Sequence, residues 1–337
     1  MTSLGARGAL RVIRAGILGT QHSHVSGKLR AMQDSPDYQV VSVCENDAAA
    51  RSKAQKDPLF QGLRWVSEEE LLGDSSIHLI VVECAVWEAL PWGKKVIAAG
   101  KHLHLEKPPG NELAPFKELV EEARRKSLLL QTGYMWRAHE GISAAIDAAR
   151  KGWLGEVYLL RGTINSDRGP EQRAIEARYR GGSLFELGGH LIDRTVDLLG
   201  RPKRIQSFLR HDTGTPDRLA DNTLAVLEYD RTLALISSAA HMYGTDQHRS
   251  FELIGSEGSI LVQPVESARP KMRVGMRRAQ GPYQAGWREI DLPPQPRFIG
   301  DFKELARALK SGQQLQLSYD HELLVHETLL KASGEMS

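Results

Sequence analysis

Short apolar runs, rich in β-branched residues, alternate with longer amphipathic stretches in the first part of the chain. The apolar runs predict strands at residues 12–18, 39–44, 79–83, 102–105 and 128–132. The intervening stretches predict helices at about residues 23–32, 47–56, 68–72, 91–99 and 115–126. In the last helix Leu119 and Ala123 share an apolar stripe opposite a charged face. Such alternation predicts a doubly wound parallel sheet, with helices on both faces, over residues 1–136.

The pattern changes after Arg137, where apolar runs follow one another with few helical stretches between them. Strands are predicted at residues 157–164, 204–209, 223–229, 233–239, 250–254, 259–262 and 287–292. Helices are predicted at residues 142–150, 184–199, 298–309 and 321–332. The Pro- and Arg-rich region 264–296 is predicted to be mostly loop. Successive strands favour antiparallel pairing. We therefore predict a second α/β domain, residues 137–337, built on a mostly antiparallel open sheet.

Composition narrows the class of protein. The 337 residues are 41% hydrophobic and 26% charged, as expected of a globular protein, and 44 basic against 42 acidic residues leave a formal charge of only +2. That charge is too small to suggest a nucleic-acid partner, and no apolar run approaches the roughly 20 residues that cross a bilayer. The N-terminus lacks the apolar core of a secretory signal. Cys44 and Cys84 are the only cysteines, which indicates a reduced, cytoplasmic setting.

The first predicted strand runs into a glycine turn, Ala15-Gly16-Ile17-Leu18-Gly19, that is typical of the start of a dinucleotide site. In the pattern Gly-x-Gly-x-x-Gly, however, Gln21 and His24 occupy the second and third glycine positions. A helix N-terminus with Ser23 as its cap still offers amides to a phosphate. The cofactor-binding candidates at this turn are Gly19, Thr20, Gln21 and His22.

Glu45 follows the second predicted strand, where an acidic residue accepts hydrogen bonds from an adenosine ribose. Because a carboxylate repels a 2′-phosphate, Glu45 favours NAD over NADP. The alternative interpretation is a solvated loop carboxylate.

The fifth predicted strand ends in His102-Leu103-His104-Leu105-Glu106-Lys107-Pro108-Pro109. The two-residue period places His102, His104 and Glu106 on one face, which is compatible with a metal site but is more typical of hydrogen-bonded packing, so no metal is predicted. The prolines restrict the backbone after Lys107. A lysine beside a nicotinamide can serve as a proton donor.

A third segment, residues 181–193, combines glycines with acidic residues and a histidine. On one continuous helix Glu186, His190 and Asp193 occupy positions i, i+4 and i+7 and form a polar stripe. Gly188-Gly189 inside such a helix costs roughly 1 kcal/mol per glycine, which indicates a close approach to the backbone. The stripe is also compatible with a metal-dependent hydrolase or isomerase, but the sequence gives no further ligands for that reading.

Together these segments resemble the Gfo/Idh/MocA family, named after glucose-fructose oxidoreductase, inositol dehydrogenase and a rhizopine-catabolism protein. The matching motifs are residues 16–19, 100–108, 132–134 with Arg137, 181–184 with His190 and Asp193, and 251–259. The resemblance implies a Rossmann domain that holds NAD or NADP, followed by a domain whose open sheet often forms a subunit interface, hence a homodimer or homotetramer.

The resemblance also implies an activity and a set of roles. Family members mostly oxidise a secondary alcohol of a sugar, cyclitol or related polyol, or catalyse the reverse reduction. The resemblance implies Lys107 near the nicotinamide, with Glu106 beside it, and His190 as the base, while Glu186 and Asp193 orient His190 or the substrate. Lys107 and His190 could exchange roles. Further candidates are Cys84 and Trp87 on the cofactor side and Arg137, together with His190, on the substrate side. Arg178, in the arginine-rich segment 167–180, is a candidate for binding an acidic substrate, and the alternative interpretation of this segment is a solvated charged loop.

Three departures from the family pattern keep a second interpretation open, that of a binding or regulatory protein that has lost the chemistry. Gln21 and His24 replace glycines. Residues 83–87 read Glu-Cys-Ala-Val-Trp, where the family usually has Thr or Ser, then Pro-Asn and a histidine. Glu186 stands where the family usually has aspartate.

Overall fold

The computed structural model describes residues 11–294 and 296–336, and these form two compact units. The first unit contains the residues up to Met135 together with Arg297–Leu323, and the second contains Trp136–Pro296 and the residues from Leu324 onward. No helix in the described ranges is both long and apolar enough to cross a membrane.

The first unit is built on a six-stranded parallel sheet, as predicted. Its order is β3-β2-β1-β4-β5-β6, so the chain reverses its direction of travel across the sheet at β1. The strands are β1 (Ile13–Leu18), β2 (Tyr38–Cys44), β3 (Arg64–Trp65), β4 (Leu79–Val82), β5 (His102–Leu105) and β6 (Leu130–Thr132). All side chains of β4 are buried, as expected for a strand covered on both faces. The doubly wound fold predicted from the sequence is confirmed.

The helices of this part of the chain fill the connections between the strands. They are α1 (Val25–Gln33), α2 (Ala48–Gln55), α3 (Glu68–Gly73), α4 (Val86–Ala98) and α5 (Leu113–Arg125). Ser67 and Glu70 form a reciprocal capping box that starts α3. Helix α4 begins at Val86 rather than at the predicted residue 91, so Pro91 lies inside the helix and residues 86 and 87 are helical.

The second unit contains an eight-stranded, mostly antiparallel sheet, which is also as predicted. Its order is β14-β13-β12-β11-β7-β10-β9-β8, and only β7 and β10 pair in parallel. The strands are β7 (Val157–Thr163), β8 (Arg204–Arg210), β9 (Asn222–Glu228), β10 (Leu233–Ala239), β11 (Ser250–Gly255), β12 (Gly258–Val262), β13 (Lys271–Met276) and β14 (Gly286–Asp291). Strand β13 lies in the region predicted to be mostly loop.

One face of this sheet is buried within the second unit and the other is largely open. Leu160, Ile236 and Phe251 are fully buried on the inner face. The strand register places Leu235 beside Val226 and Arg161 on the opposite face, where all three are at least partly exposed. The open face therefore presents apolar side chains to the surroundings of the described chain.

Helices of the second unit pack against the inner face. They are α6 (Glu140–Arg150), α7 (Pro170–Glu176), α8 (Gly182–Leu187) and α9 (Gly189–Leu199). The sequence predicted one helix over residues 184–199, but the chain forms α8 and α9 with Gly188 between them. Helix α7 was not predicted.

The last two helices are α10 (Ile299–Ser311) and α11 (Tyr319–Ala332). Phe302 and Leu305 of α10 are buried in the same apolar cluster as Ile17 and Met32. Residues 297–323, which we expected in the second domain, therefore group with the first unit because their apolar face completes its core.

Candidate functional site

The turn after β1 is held tightly between the ends of two neighbouring strands. Gly19 has φ +87°, a conformation that favours glycine, and its amide donates to the carbonyl oxygen of Cys44, 2.8 Å away. A Cβ atom at Gly19 would lie 2.9 Å from the amide nitrogen of Cys84 and 3.0 Å from the carbonyl oxygen of Glu83. Only glycine fits this position, which explains why the first glycine of the pattern is present.

Glu45 lies at the carboxyl end of β2 and accepts hydrogen bonds from the turn. Its Oε2 accepts from the Thr20 amide at 2.6 Å and from the Thr20 hydroxyl at 2.9 Å, while Oε1 accepts from the Asp47 amide at 2.8 Å. The residue is only 5% exposed, so it is not a solvated loop carboxylate. A carboxylate has about four acceptor positions, which leaves capacity for a hydroxyl donor at Oε1.

Helix α1 begins without the side-chain cap that the sequence predicted. The N-cap residue is His24 rather than Ser23, and its side chain makes no cap hydrogen bond in the described structure. No acidic side chain lies in the first turn of α1. The positive end of the helix therefore has no anionic side chain of its own to compensate it, which suits an anion at this end.

The turn fits a dinucleotide in three respects and departs from the usual pattern in one. Gly19, the Glu45 carboxylate and the start of α1 match the expected arrangement. The departure is that the amides of Thr20, His22 and His24 already donate within the protein, to Glu45, to the Glu83 carbonyl and to His22 Nδ1 respectively. Gln21 is exposed, at the position where a glycine usually approaches the pyrophosphate.

A buried group of charged and titratable side chains lies beside this turn, and we call it the Lys28 cluster. It consists of His22, His24, Lys28, Glu83 and Glu106. The Lys28 ammonium lies 2.5 Å from Glu83 Oε1 and also bonds to Glu106 Oε2. His24 Nδ1 is 3.2 Å from Glu106 Oε2, and His22 Nδ1 is 3.7 Å from the same oxygen. The cluster joins α1 to the ends of β4 and β5.

Burial and charge pairing act against each other in the Lys28 cluster. Burial lowers the pKa of His24, which favours its neutral form despite the nearby Glu106. Burial also opposes ionisation of Lys28 and Glu106, but their mutual attraction outweighs it, so the pKa of Lys28 is raised and that of Glu106 is lowered. Burial raises the pKa of Glu83 to about 8.

Lys107 lies two residues beyond the end of β5 and is 1% exposed. Its amide donates to Glu106 Oε1 at 3.0 Å, so the carboxylate that binds Lys28 also fixes the backbone of Lys107. The Lys107–Pro108 peptide bond is cis. His102 Nδ1 accepts from the Leu129 amide and His104 Nδ1 contacts Gln131 Oε1, both at 2.9 Å, in agreement with the packing interpretation of these two histidines.

The remaining cofactor candidates lie at the end of β4 and the start of α4. Cys84 is 3% exposed, and burial raises the pKa of its thiol far above the usual value, so the thiol stays protonated. Trp87 lies on α4 and is 45% exposed. Within residues 83–87, only Val86 and Trp87 are helical.

In the second unit, Glu186, His190 and Asp193 lie on two successive helices and are all buried. A Cβ atom at Gly188 would lie 2.6 Å from the carbonyl oxygen of Leu184, so glycine allows α8 and α9 to meet closely. The ring of His190 stacks on the indole of Trp136, with 5.8 Å between the ring centroids.

Asp193 is part of a buried ion-pair group rather than an isolated carboxylate. Its Oδ1 accepts from Arg137 Nε at 3.0 Å and from Arg137 Nη2 at 2.7 Å, and its Oδ2 accepts from Arg194 Nε at 2.8 Å. The structure therefore brings together Asp193 and Arg137, which the sequence assigned to different roles.

The arginines of residues 167–180 divide into internal and exposed ones. Arg173 is 3% exposed and binds Asp217 and Asp221, at 2.6 and 2.7 Å, while Arg168 lies 2.7 Å from Glu176. Arg178, the substrate candidate of this segment, is exposed.

Sequence reasoning missed Lys28 and Trp136. The sequence does contain a signal for Lys28, because this residue lies three residues after Val25 and four before Met32, on the apolar face of α1. A lysine on a buried stripe needs a partner. Trp136 gave no such signal; its Nε1 donates to Glu266 Oε1 at 2.9 Å, and Glu266 in turn binds Arg249.

A glycine turn at β1, an acidic residue at the end of β2 and a second domain on an open sheet define a two-domain oxidoreductase with an NAD-binding Rossmann fold. Residues 13–134 match the oxidoreductase family described as having an NAD-binding Rossmann fold, and residues 142–261 match the GFO/IDH/MocA C-terminal domain. The chain belongs to the Gfo/Idh/MocA family, as the sequence motifs predicted.

Relatives with curated names are moderately similar. The chain is 26% identical over 281 residues to dTDP-3,4-didehydro-2,6-dideoxy-alpha-D-glucose 3-reductase of Streptomyces violaceoruber, covering 79% of this chain and 78% of that one. It is 28% identical over 185 residues to trans-1,2-dihydrobenzene-1,2-diol dehydrogenase of Homo sapiens, covering 54% and 55%. A 3-ketoreductase from Actinomadura kijaniata, solved with NADP and TDP-benzene, has the same fold with a TM-score of 0.78, 20% identity and coverage of 94% and 96%.

Proposed function

We propose that this protein transfers a hydride between a nicotinamide cofactor and a secondary alcohol or ketone of a sugar, cyclitol or related polyol. The observation that carries the proposal is the turn after β1, where Gly19 adopts positive φ beside the buried Glu45 carboxylate. The curated names of its relatives, a sugar 3-reductase and a diol dehydrogenase, support this substrate class.

The cofactor we propose is NAD. Glu45 would receive the adenosine ribose, and its negative charge at the end of β2 disfavours the 2′-phosphate of NADP. Gly19, Thr20, Gln21 and His22 would border the pyrophosphate. Cys84, Trp87, Glu106 and Lys107 would border the nicotinamide half.

The bound cofactor supplies the hydride acceptor or donor, and the protein must bind the substrate and move one proton. His190 is the proposed base for the substrate hydroxyl, with its ring fixed by the stack on Trp136. Glu186 is proposed to set the tautomer of His190. Lys107 is proposed to stabilise the developing alkoxide.

The substrate side rests on the arginine groups of the second unit. Asp193 holds the Arg137 guanidinium through two hydrogen bonds, so we propose that Asp193 orients Arg137 toward the substrate. Arg178 is exposed and is the candidate for an acidic substituent on the substrate. Its replacement by alanine is expected to raise KM for an acidic substrate only.

A binding or regulatory protein is the second candidate function. The occupied amides of Thr20, His22 and His24 favour it, because a pyrophosphate would have to compete with existing hydrogen bonds. In that case the fold would be retained without turnover.

Cofactor titration separates the two candidates. NADH and NADPH are added to the purified protein while energy transfer from its six tryptophans is followed. We expect tighter binding of NADH than of NADPH, and a loss of this preference in Glu45→Gln. Glu69→Gln, at an exposed acidic residue on α3, is the matched control. Absence of binding to either cofactor would favour the regulatory function.

Turnover is then measured with a panel of sugars, cyclitols and diols. His190→Gln and Lys107→Met are expected to bind NADH with unchanged affinity or within a few-fold, while their turnover falls by roughly 100-fold or more, the usual loss with a general acid or base. Full turnover in both variants would contradict the assigned roles.

We also propose a cytoplasmic homo-oligomer. Neither Cys44 nor Cys84 forms a disulfide, and both are buried, which suits a reducing compartment. The open apolar face of the second sheet is the proposed contact between subunits.

A further inference from the structure

We propose that His22, His24 and Glu106 form a binding site for a first-row divalent cation, with zinc as the best fit to the donor set. None of the roles assigned above requires this ion. Three donor atoms, one from each side chain, lie within 4.8 Å of one another. Two imidazole nitrogens and one carboxylate oxygen are a common zinc-binding combination.

The distances between the donor atoms agree with one shared ion. Donors about 2.1 Å from a tetrahedral zinc are separated by roughly 3.4 Å from one another. The observed distances to Glu106 Oε2 are 3.2 Å from His24 Nδ1 and 3.7 Å from His22 Nδ1. Only small rotations of these side chains would bring all three donors to one ion.

A fourth donor lies next to the first three. Glu83 Oε2 is buried and has no hydrogen-bond partner within the described chain, and it lies 3.9 Å from His22 Nδ1. A buried carboxylate oxygen without a partner is costly, and ligation of an ion would remove that cost. The end of β4 thus supplies a potential ligand in addition to the end of β5.

Lys28 shares the two carboxylates but does not exclude the ion. Its ammonium bonds to Glu83 Oε1 and Glu106 Oε2, and each carboxylate oxygen has a second lone pair. When Glu83 is ionised, two carboxylates and one ammonium leave a formal negative charge in the cluster, which attracts a cation, and a bound cation in turn favours the ionised form of Glu83 that burial disfavours.

Solvent can reach the site, and one of its ring nitrogens is unprotonated. The side chains of His22 and His24 are 13% and 15% exposed, so an ion can reach them from solvent. His22 Nδ1 accepts from the His24 amide at 3.3 Å, so it is the unprotonated ring nitrogen, and ligation would use the lone pair that now accepts this hydrogen bond. A bound ion would tie the turn after β1 to the residue that precedes Lys107.

The test is a cobalt titration of the full-length protein after treatment with a chelator and removal of that chelator. We expect one Co²⁺ per chain, with the visible absorption of tetrahedral cobalt, and displacement by Zn²⁺. His22→Gln and His24→Gln should each weaken binding by more than the roughly 10-fold typical of losing an outer-shell partner. His241→Gln, at a residue whose side chain is 54% exposed, is the control and should bind as the wild type does.

Two results would overturn the proposal. One is wild-type protein that shows no stoichiometric cobalt spectrum, and the other is His22→Gln and His24→Gln variants that both bind cobalt as tightly as wild type. NADH titration of the same metal-free samples is independent of this readout, so failure of the metal site and failure of the proposed oxidoreductase function are distinguishable.

Discussion

His211 shows how a single residue can make stability depend on pH. It lies on the loop between β8 and β9, with Nδ1 2.9 Å from the Leu219 carbonyl oxygen and Nε2 3.1 Å from the Thr215 carbonyl oxygen. Since carbonyl oxygens only accept, both ring nitrogens must donate, and the ring is an imidazolium when both bonds form. The bond to Leu219 and the nearby Asp221 raise the pKa of His211 above 6.5.

We therefore expect the stability contributed by His211 to be complete below its unfolded-state pKa of about 6.5 and to be lost as pH rises through the higher folded-state pKa. His211→Gln should lower the melting temperature more at pH 6 than at pH 9. The measurement is the difference in Tm between wild type and variant across this range. A difference that does not change with pH would contradict the imidazolium assignment.

Replacement of Gly19 is expected to displace the turn after β1. Gly19→Ala places a Cβ 2.9 Å from the Cys84 amide nitrogen in a backbone with φ +87°, so the turn must move. We expect a loss of about 1–3 kcal/mol in the free energy of unfolding and weaker NADH binding. Gly62 also has positive φ, but a Cβ added there would contact nothing within 4 Å. Gly62→Ala is therefore the control for backbone strain alone. NADH affinity equal to that of the control would show that the turn does not border the cofactor.

Among the elements, α1 depends on Lys28 for its attachment to the sheet. Lys28→Met leaves the Glu83 and Glu106 carboxylates buried without their ammonium. We expect the free energy of unfolding to fall by about 3–5 kcal/mol, as is typical when one partner of a buried ion pair is removed. Lys53→Met, at an exposed position on α2, should change stability little. Urea unfolding of both variants measures the difference. Equal stability of the two variants would show that the buried pair contributes nothing net.

The sequence predicted most elements because their signals are local. Short apolar runs, β-branched in β1, β2 and β4 and alternating His and Leu in β5, located these four strands within one or two residues of their observed ends. The two-residue strand β3 has no such run, and β13 lies in a Pro- and Arg-rich segment whose composition suggests loop. The predicted helix 91–99 starts at Pro91, but α4 starts five residues earlier and Pro91 lies inside it.

The candidate site was predictable only where its residues lie close together in the sequence. Glu186, His190 and Asp193 formed a visible stripe. The Asp193–Arg137 pair joins residues 56 positions apart, and Lys28 meets Glu106 across 78 positions. No local pattern encodes such distant partners, so the sequence assigned these charges separately.

At the scale of the whole molecule, the open face of the second sheet is the contact that we propose between copies of the chain. Leu235 lies near the centre of this face, beside Val226 and Arg161. We expect the wild type to be a dimer or tetramer by light scattering. Leu235→Lys should reduce its assembly state because it adds a charge next to Arg161. Ala49→Lys, on the exposed surface of the first unit, should leave assembly unchanged. A monomeric wild type would contradict the proposed contact.

The return of residues 297–323 to the first unit has a consequence for synthesis on the ribosome. The Rossmann sheet is complete by Thr132, yet the core residues Phe302 and Leu305 are translated only after the entire second sheet. The N-terminal domain therefore cannot reach its final stability while it emerges first. Part of its apolar surface stays uncovered until about nine-tenths of the 337 residues have been made.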